Sequence, residues 1–284
     1  MKFFILAGGY GKRAEPLSLI KPKAVFPLNG IPLLRLLLEQ LQARQCLAGF
    51  INLHHLGEQI VQTAGRAGNV DFIHEKSLTG SLVLRQALPF FSDWLLVING
   101  DTFLEIPLPA LLEKIADPAV DGALLVRSDP SGNYAPLRIT DDVFMEVSKP
   151  GNGPGVMYAG VALFKKRAIE KITDLNFFTS IHKNHLHFKT VFHDGIWLDI
   201  GTPESYLRAN RVYREHVKDR RSNSLSENVE ISPRARVDQS VLWENTRLGD
   251  KVSLSECIVT GNMVLENISR QRCIISRQGI FPFL

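Results

Sequence analysis

Residues Leu6–Lys23 read LAGGYGKRAEPLSLIKPK. Gly9, Gly11 and Ala14 fit the G-x-G-x-x-A spacing of dinucleotide-binding folds, in which a helix follows and its N-terminus faces the pyrophosphate. Here Pro16 and Pro22 follow instead. A proline costs about 3 kcal/mol in a helix interior, so the glycines must lead into an irregular loop. Such a loop still suits phosphate, because side-chain-free backbone approaches closely and successive N–H groups form an anion-binding concavity. Lys12, Arg13, Lys21 and Lys23 add a charge density that fits a triphosphate better than a dinucleotide bridge. The Walker loop is excluded as well, because no G-K-[ST] opens a helix.

Outward from this stretch, strand-like and helix-like segments alternate. Phe3–Ala7 is a continuous apolar run, as a strand buried on both faces should be. Pro32 is expected to open a helix to about Arg44, with Leu33, Leu34, Leu37, Leu38 and Leu41 on one side. Strands follow at 49–53, 70–74 and 94–98, with helices at 57–64 and 81–88 between them. The alternation argues an α/β fold, Rossmann-like, with a mixed, mainly parallel sheet flanked by helices. Segments 122–127, 137–139, 143–147 and 160–164 add strands, and Thr202 and Pro203 open a late helix to about Val217.

Asp219–Glu227 (DRRSNSLSE) is polar and reads as a linker between a catalytic domain at 1–220 and a second domain at 228–284. In the second domain apolar residues recur every six: Ile231 and Val237; Leu242, Leu248 and Leu254; Val252, Ile258 and Val264; Ile268, Ile274 and Ile280. That period is the signature of a short β-helix, with room for only two or three coils.

Composition narrows the function. The 284 residues are 45% hydrophobic and 22% charged, an ordinary globular balance, with a net charge of +4. No dense Lys/Arg tract suggests nucleic acid, and the basic side of the late helix (Arg208, Arg211, Arg214, Lys218, Arg220, Arg221) reads as a solvated face. Cys46, Cys257 and Cys273 form neither a metal pair nor a disulfide framework, which points to the cytoplasm. His182, His185, His187 and His193 lack the partners of a metal site and read as surface residues. The first apolar run is too short for a signal or a membrane span.

The long pattern resembles the sugar-1-phosphate nucleotidyltransferases, whose signature runs roughly L-A-[AG]-G-x-G-[ST]-R-L-x-P-L-[ST]-x-x-x-P-K. Gly8, Gly9, Gly11, Arg13, Pro16, Leu17, Pro22 and Lys23 match, while Lys12 and Ala14 depart from it. NLHHLGEQI (52–60), LVINGDTF (96–103), VSKPG (147–151), MYAGVALF (157–164) and WLDIGTPESYLRAN (197–210) extend the likeness, closest to the bacterial mannose- and heptose-1-phosphate guanylyltransferase branch. The trailing β-helix is left-handed in that family.

The resemblance implies that an NTP and a sugar 1-phosphate are joined and pyrophosphate is released. It puts Arg13 at the departing pyrophosphate and Lys23 beside the α-phosphate. Leu6, Ala7, Gly8, Gly9, Gly11, Lys12, Glu75, Thr79, Gly80, Asn99 and Gly100 fall to the nucleotide, and Asp101 and Asp199 hold Mg²⁺. Lys149, Ser148, Tyr158 and Gly160 fall to the sugar phosphate; Ser148 stands where the family has Glu, which leaves Glu146 as a nearby acid. GTP is the expected nucleotide, through two acceptor oxygens of Glu75 matching the adjacent donors of guanine. The alternatives are a uridylyl- or thymidylyltransferase, and a catalytically silent sensing paralogue. The β-helix is expected to serve self-association more than catalysis.

Overall fold

Phe3, Phe4 and Ile5 are at most 1% exposed, because the strand that carries them lies inside a sheet and packs on both faces. The computed structural model describes residues 1–65, 69–148 and 153–283. It gathers them into two compact units: Met1–Gly9 with Leu37–Gly57 and Ala64–Trp197, and Tyr10–Leu36 with Glu58–Thr63 and Leu198–Leu284. These limits differ from the 1–220 and 228–284 read from the sequence. Among the described residues no helix is long and apolar enough to cross a membrane.

The first unit holds a nine-stranded mixed sheet. Its strands are β1 (Lys2–Leu6), β2 (Ala48–Leu53), β3 (Asn69–His74), β4 (Trp94–Asn99), β5 (Gly122–Asp129), β6 (Leu137–Thr140), β7 (Val143–Val147), β8 (Gly155–Lys165) and β9 (Phe188–Phe192), in the order β3-β2-β1-β4-β8-β5-β9-β7-β6. The run β3-β2-β1-β4 is parallel, as the alternating pattern required. Strand β8 enters antiparallel to both neighbours and bulges near Gly160, and this makes the sheet mixed. One aromatic and aliphatic core, including Phe4, Phe50, Phe164, Phe177 and Phe188, backs the sheet.

Two expected helices differ. Residues Gly80–Phe90 form a 3₁₀ helix, and Pro89 inside it lacks the N–H an α-helix would use there. Pro32 lies in a short ribbon with Pro27, so the helix begins at Leu33.

In the second unit the late helix, Pro203–His216, starts at a capping box in which Thr202 and Ser205 bond each other's backbone N–H. Its basic side is not uniformly solvated, since Arg214 is 6% exposed and bonds the Arg221 carbonyl. The β-helix follows as parallel strands in three sheets. Val241 pairs with Ile258 and Ile258 with Ile274, so coils repeat after seventeen and then sixteen residues. Leu242, Leu248, Val252, Leu254, Cys257 and Val259 fill the interior. A strict six-residue column drifts against such coils, and Val264 points outward at 61% exposure. The 219–227 stretch is more structured than a linker, because Ser224–Leu225 already pairs with Val241–Leu242 as the first rung. Gly279–Pro282 turns back antiparallel on Cys273–Ser276 and caps one sheet.

Candidate active site

The proposed site residues fall in both units, and each set is built by its own local structure. In the first unit, strands β1 and β4 run parallel with Leu6 opposite Asn99. Their C-terminal ends therefore bring Leu6–Gly8 beside the Asn99–Gly100–Asp101 turn, the end where open α/β sheets bind ligands. The Gly100 N–H bonds the Leu6 carbonyl at 2.9 Å. Gly160, at the β8 bulge, lies against Asn99; a Cβ there would meet Asn99 Cβ at 3.4 Å. Asp101 follows the turn, partly exposed.

Beneath the glycines runs a polar network that the sequence reading missed. Asn52 Oδ1 accepts the Ala7 N–H at 2.7 Å, and Asn52 Nδ2 donates to Glu75 Oε2 at 2.5 Å. Glu75 Oε1 accepts the Thr79 N–H at 3.0 Å and the Thr79 hydroxyl at 2.5 Å. Asn52 is 4% and Glu75 8% exposed. Both carboxylate oxygens thus accept from protein donors, and the Glu75 carboxylate braces Ala7–Gly8 to the Thr79–Gly80 turn. The signal was a lone Asn in the apolar run Phe50–Leu53.

In the second unit, Gly11 takes φ +66° and opens a 3₁₀ turn at Lys12–Ala14, followed by a helical turn at Leu17–Ile20 and a second 3₁₀ turn at Lys23–Val25. The two prolines do exclude a long helix. The Lys23 stem lies over Gly11, where a Cβ would come within 3.1 Å of Lys23 Cγ. Lys12 and Arg13 are exposed. Lys21 is not one of the phosphate-facing cations: its Nζ lies 2.6 Å from Glu244 Oε1.

Arg13 and Asp199, far apart in sequence, meet at Gly201. A Cβ on Gly201 would lie 3.0 Å from both Asp199 oxygens and 3.2 Å from Arg13 Nη2. The Gly201 N–H bonds Asp199 Oδ1 at 3.1 Å, which fixes the carboxylate just before the capped helix. This unit therefore sets a guanidinium beside a carboxylate, a combination suited to a phosphate chain and a hard cation.

Other expected residues are not drawn into these clusters. The Tyr158 ring packs edge-on to Phe177 and Phe178, and its hydroxyl is buried without a partner among the described residues. Burial raises that phenol's pKa well above the ordinary tyrosine range. Ser148 is exposed, and its N–H bonds the Pro136 carbonyl. Pro136 lines a cavity of about 250 Å³ with Asp129, Gly132, Tyr134 and Gly153–Gly155. Glu146 pairs with Arg138 at 3.0 Å. Lys149 lies outside the described residues. His193 is buried and bonds the Ile196 carbonyl. Among the described residues no three His, Cys, Asp or Glu side chains converge as a metal site.

The Nucleotidyl transferase family profile matches residues 2–133, the span that holds the glycine loop, the Asn52–Glu75 network and the Asn99–Asp101 turn. That match, with the relatives below, supports a sugar-1-phosphate nucleotidyltransferase, an enzyme that makes an NDP-sugar from an NTP and a sugar 1-phosphate. It is similar to a Sulfolobus acidocaldarius protein described as a candidate mannose-1-phosphate guanyltransferase, 29% identical over 90% of this chain and 74% of that one. It is also similar to the UTP–glucose-1-phosphate uridylyltransferase of Synechocystis, 25% identical over 87% of this chain and 72% of that one. Among solved structures, HddC from Yersinia pseudotuberculosis aligns with 75% of this chain and 99% of its own, at TM-score 0.66 and 25% identity. HddC has also been solved complexed with GMP-PN.

Proposed function

We propose that the enzyme is a guanylyltransferase that joins GTP to a hexose 1-phosphate of the mannose class. The single observation that carries the site assignment is the meeting of Arg13 and Asp199 at Gly201. A phosphate oxygen of the sugar 1-phosphate attacks the α-phosphorus; the bond from that phosphorus to the β-phosphate oxygen breaks, and pyrophosphate leaves with the electron pair. Little covalent help is needed, so the residues act by position and charge. Backbone at Leu6–Gly9, Gly11, Asn99 and Gly100 approaches the nucleotide. Arg13 and Lys12 take the leaving pyrophosphate, Lys23 the α-phosphate, and Lys149 with the Ser148 segment the sugar phosphate.

Family members generally use a divalent metal ion. Mg²⁺ dehydrates reluctantly and is held by one or two carboxylates plus substrate phosphates. Asp101 and Asp199 are acids of that kind, Asp101 in the turn after Trp94–Asn99 and Asp199 at the end of the strand Trp197–Asp199. When bound, Mg²⁺ would neutralise triphosphate charge.

Guanine is supported by the name of the Sulfolobus relative and by the GMP-PN complex of HddC. The Synechocystis relative favours a second reading, uridylyl transfer to glucose 1-phosphate. The test is pyrophosphate release with GTP, UTP, dTTP and ATP, each against mannose 1-phosphate and glucose 1-phosphate. GTP with mannose 1-phosphate should be fastest; a faster UTP pair overturns the guanylyl reading. Self-association through the β-helix belongs to the same proposal, since Val264 and Ser269–Gln271 of the last coil are exposed. Light scattering that finds a monomer would remove it.

A further inference from the structure

Lys23 sits between two clamped ends of the signature segment. Two residues before it, the Lys21 ammonium pairs with Glu244 and lies 5.5 Å from the centre of the Trp243 ring. Three residues after it, the Phe26 ring packs 5.5 Å from Trp243 and 5.2 Å from Tyr206. The Trp243 indole N–H donates to the Tyr206 hydroxyl at 3.0 Å, and that hydroxyl donates to the Pro27 carbonyl at 2.6 Å. Trp243, Tyr206 and Phe26 are fully enclosed. A little further on, Gly30 takes φ +84°, and a Cβ there would fall 2.1 Å from the Leu225 carbonyl oxygen, so the β-helix's first rung touches bare backbone.

The clamped stretch is the 3₁₀ turn Lys23–Val25, with the Lys23 stem laid over Gly11. A lysine stem loses much rotamer freedom when it is ordered, and a preset charge costs no reorganisation during reaction. An unpaired Lys21 would also offer the triphosphate a second cation in the wrong register, and Glu244 occupies it. We propose that Trp243 and Glu244 of the β-helix are positioning residues for nucleotidyl transfer, acting through Phe26 and Lys21 to hold Lys23 in place. This rests on the role given to Lys23 above. It also gives the β-helix a part in catalysis.

The test compares wild type, Glu244→Gln and the exchanged pair Lys21→Glu with Glu244→Lys, by kinetics and by amide hydrogen exchange. Glu244→Gln should lower kcat/KM for the NTP about 5-fold, the size of a modest coupling between two sites in contact. KM for the sugar phosphate should hold. Exchange should quicken over residues 21–26 and stay unchanged over Trp94–Asn99, and the exchanged pair should recover most of both losses. Wild-type kcat/KM and exchange in Glu244→Gln would overturn the clamp. So would a parallel loss on both substrates that the exchanged pair does not recover. If wild type releases no pyrophosphate with any substrate pair, the proposed function fails instead. Exchange over 21–26 then decides the clamp alone: faster in Glu244→Gln upholds it, unchanged rejects it.

Discussion

The two units brace their own candidate site residues with opposite chemistry. In the first unit the support under Ala7–Gly8 is a buried chain of hydrogen bonds, Ala7 to Asn52 to Glu75 to Thr79. In the second unit the support around Lys23 is an aromatic cluster with a partly exposed ion pair, whose side chains are 18% and 29% exposed. A buried polar network is worth having only when every member is satisfied, so one lost partner leaves an orphan at about 1–3 kcal/mol. Aromatic packing divides its contribution among many small contacts. Damage to the first brace should therefore appear as lost stability, and damage to the second as lost geometry.

The largest expected effect is one on which the units should agree. Asp101→Asn and Asp199→Asn each remove a carboxylate from a charge-neutralising site, and each should lower turnover by about 10²-fold or more. Initial rates at limiting Mg²⁺, alongside thermal unfolding, check this. Near-normal rates in both variants would remove the two-carboxylate assignment from both units together.

Gly201→Ala comes next and isolates geometry. The added methyl would press on the Asp199 oxygens and on Arg13 Nη2, which are flexible side-chain ends that can move aside. Stability should change little. The displaced charges should still lower kcat/KM about 10-fold or more, because misplacement of the order of 1 Å is costly in catalysis. Urea unfolding and steady-state kinetics on the same preparation separate the two. A destabilised but fully active variant would show that this cluster belongs with the polar brace of the first unit.

Glu75→Gln probes that polar brace. The amide can accept Asn52 Nδ2–H or the Thr79 donors but cannot accept both sets, so one buried donor group is left facing an N–H. The expected loss is about 1–3 kcal/mol of stability. Activity should fall similarly for every NTP, with their order kept. A changed order in a GTP, UTP, dTTP and ATP scan would assign base reading to Glu75.

These expectations also mark what the sequence made legible. The continuous apolar run Phe3–Ala7 and the strand–helix alternation were enough for the parallel half of the sheet, because burial on both faces leaves a one-dimensional signal. Pro16 and Pro22 were enough to reject the dinucleotide reading. The six-residue rhythm disclosed the β-helix but not its register, since coils of seventeen and sixteen residues shift the inward positions and turn Val264 out. The braces were not legible. Asn52 with Glu75, and Lys21 with Glu244, are pairs made by long-range topology. An isolated Asn or Lys carries no mark of where its partner lies. The same holds for Lys21, counted among phosphate cations because its neighbours are.

The smallest expected effect is acid sensitivity in the second unit. Asp219 Oδ2 accepts from Asn29 Nδ2 at 2.9 Å and is forked by the Arg221 guanidinium. The Arg221 side chain first, then Asn29 and the Arg221 N–H, hold this carboxyl well below the usual carboxylate range. Its folded pKa is depressed, so the stability it contributes is fully present above the unfolded value of about 3.9 and fades as pH falls through the folded value. Asp219→Asn should therefore be less stable than wild type at neutral pH, and the gap should close in strong acid. Partly exposed ion pairs contribute only about 0–1 kcal/mol, so the gap is small. Hydrogen exchange at residues 28–30 and 219–225, followed from pH 7 downward in both proteins, reads it locally. A gap that stays constant into strong acid would mean that shape, not charge, at Asp219 ties Asn29 down, and the second brace would then owe less to ionic contacts than the Lys21–Glu244 pair suggests.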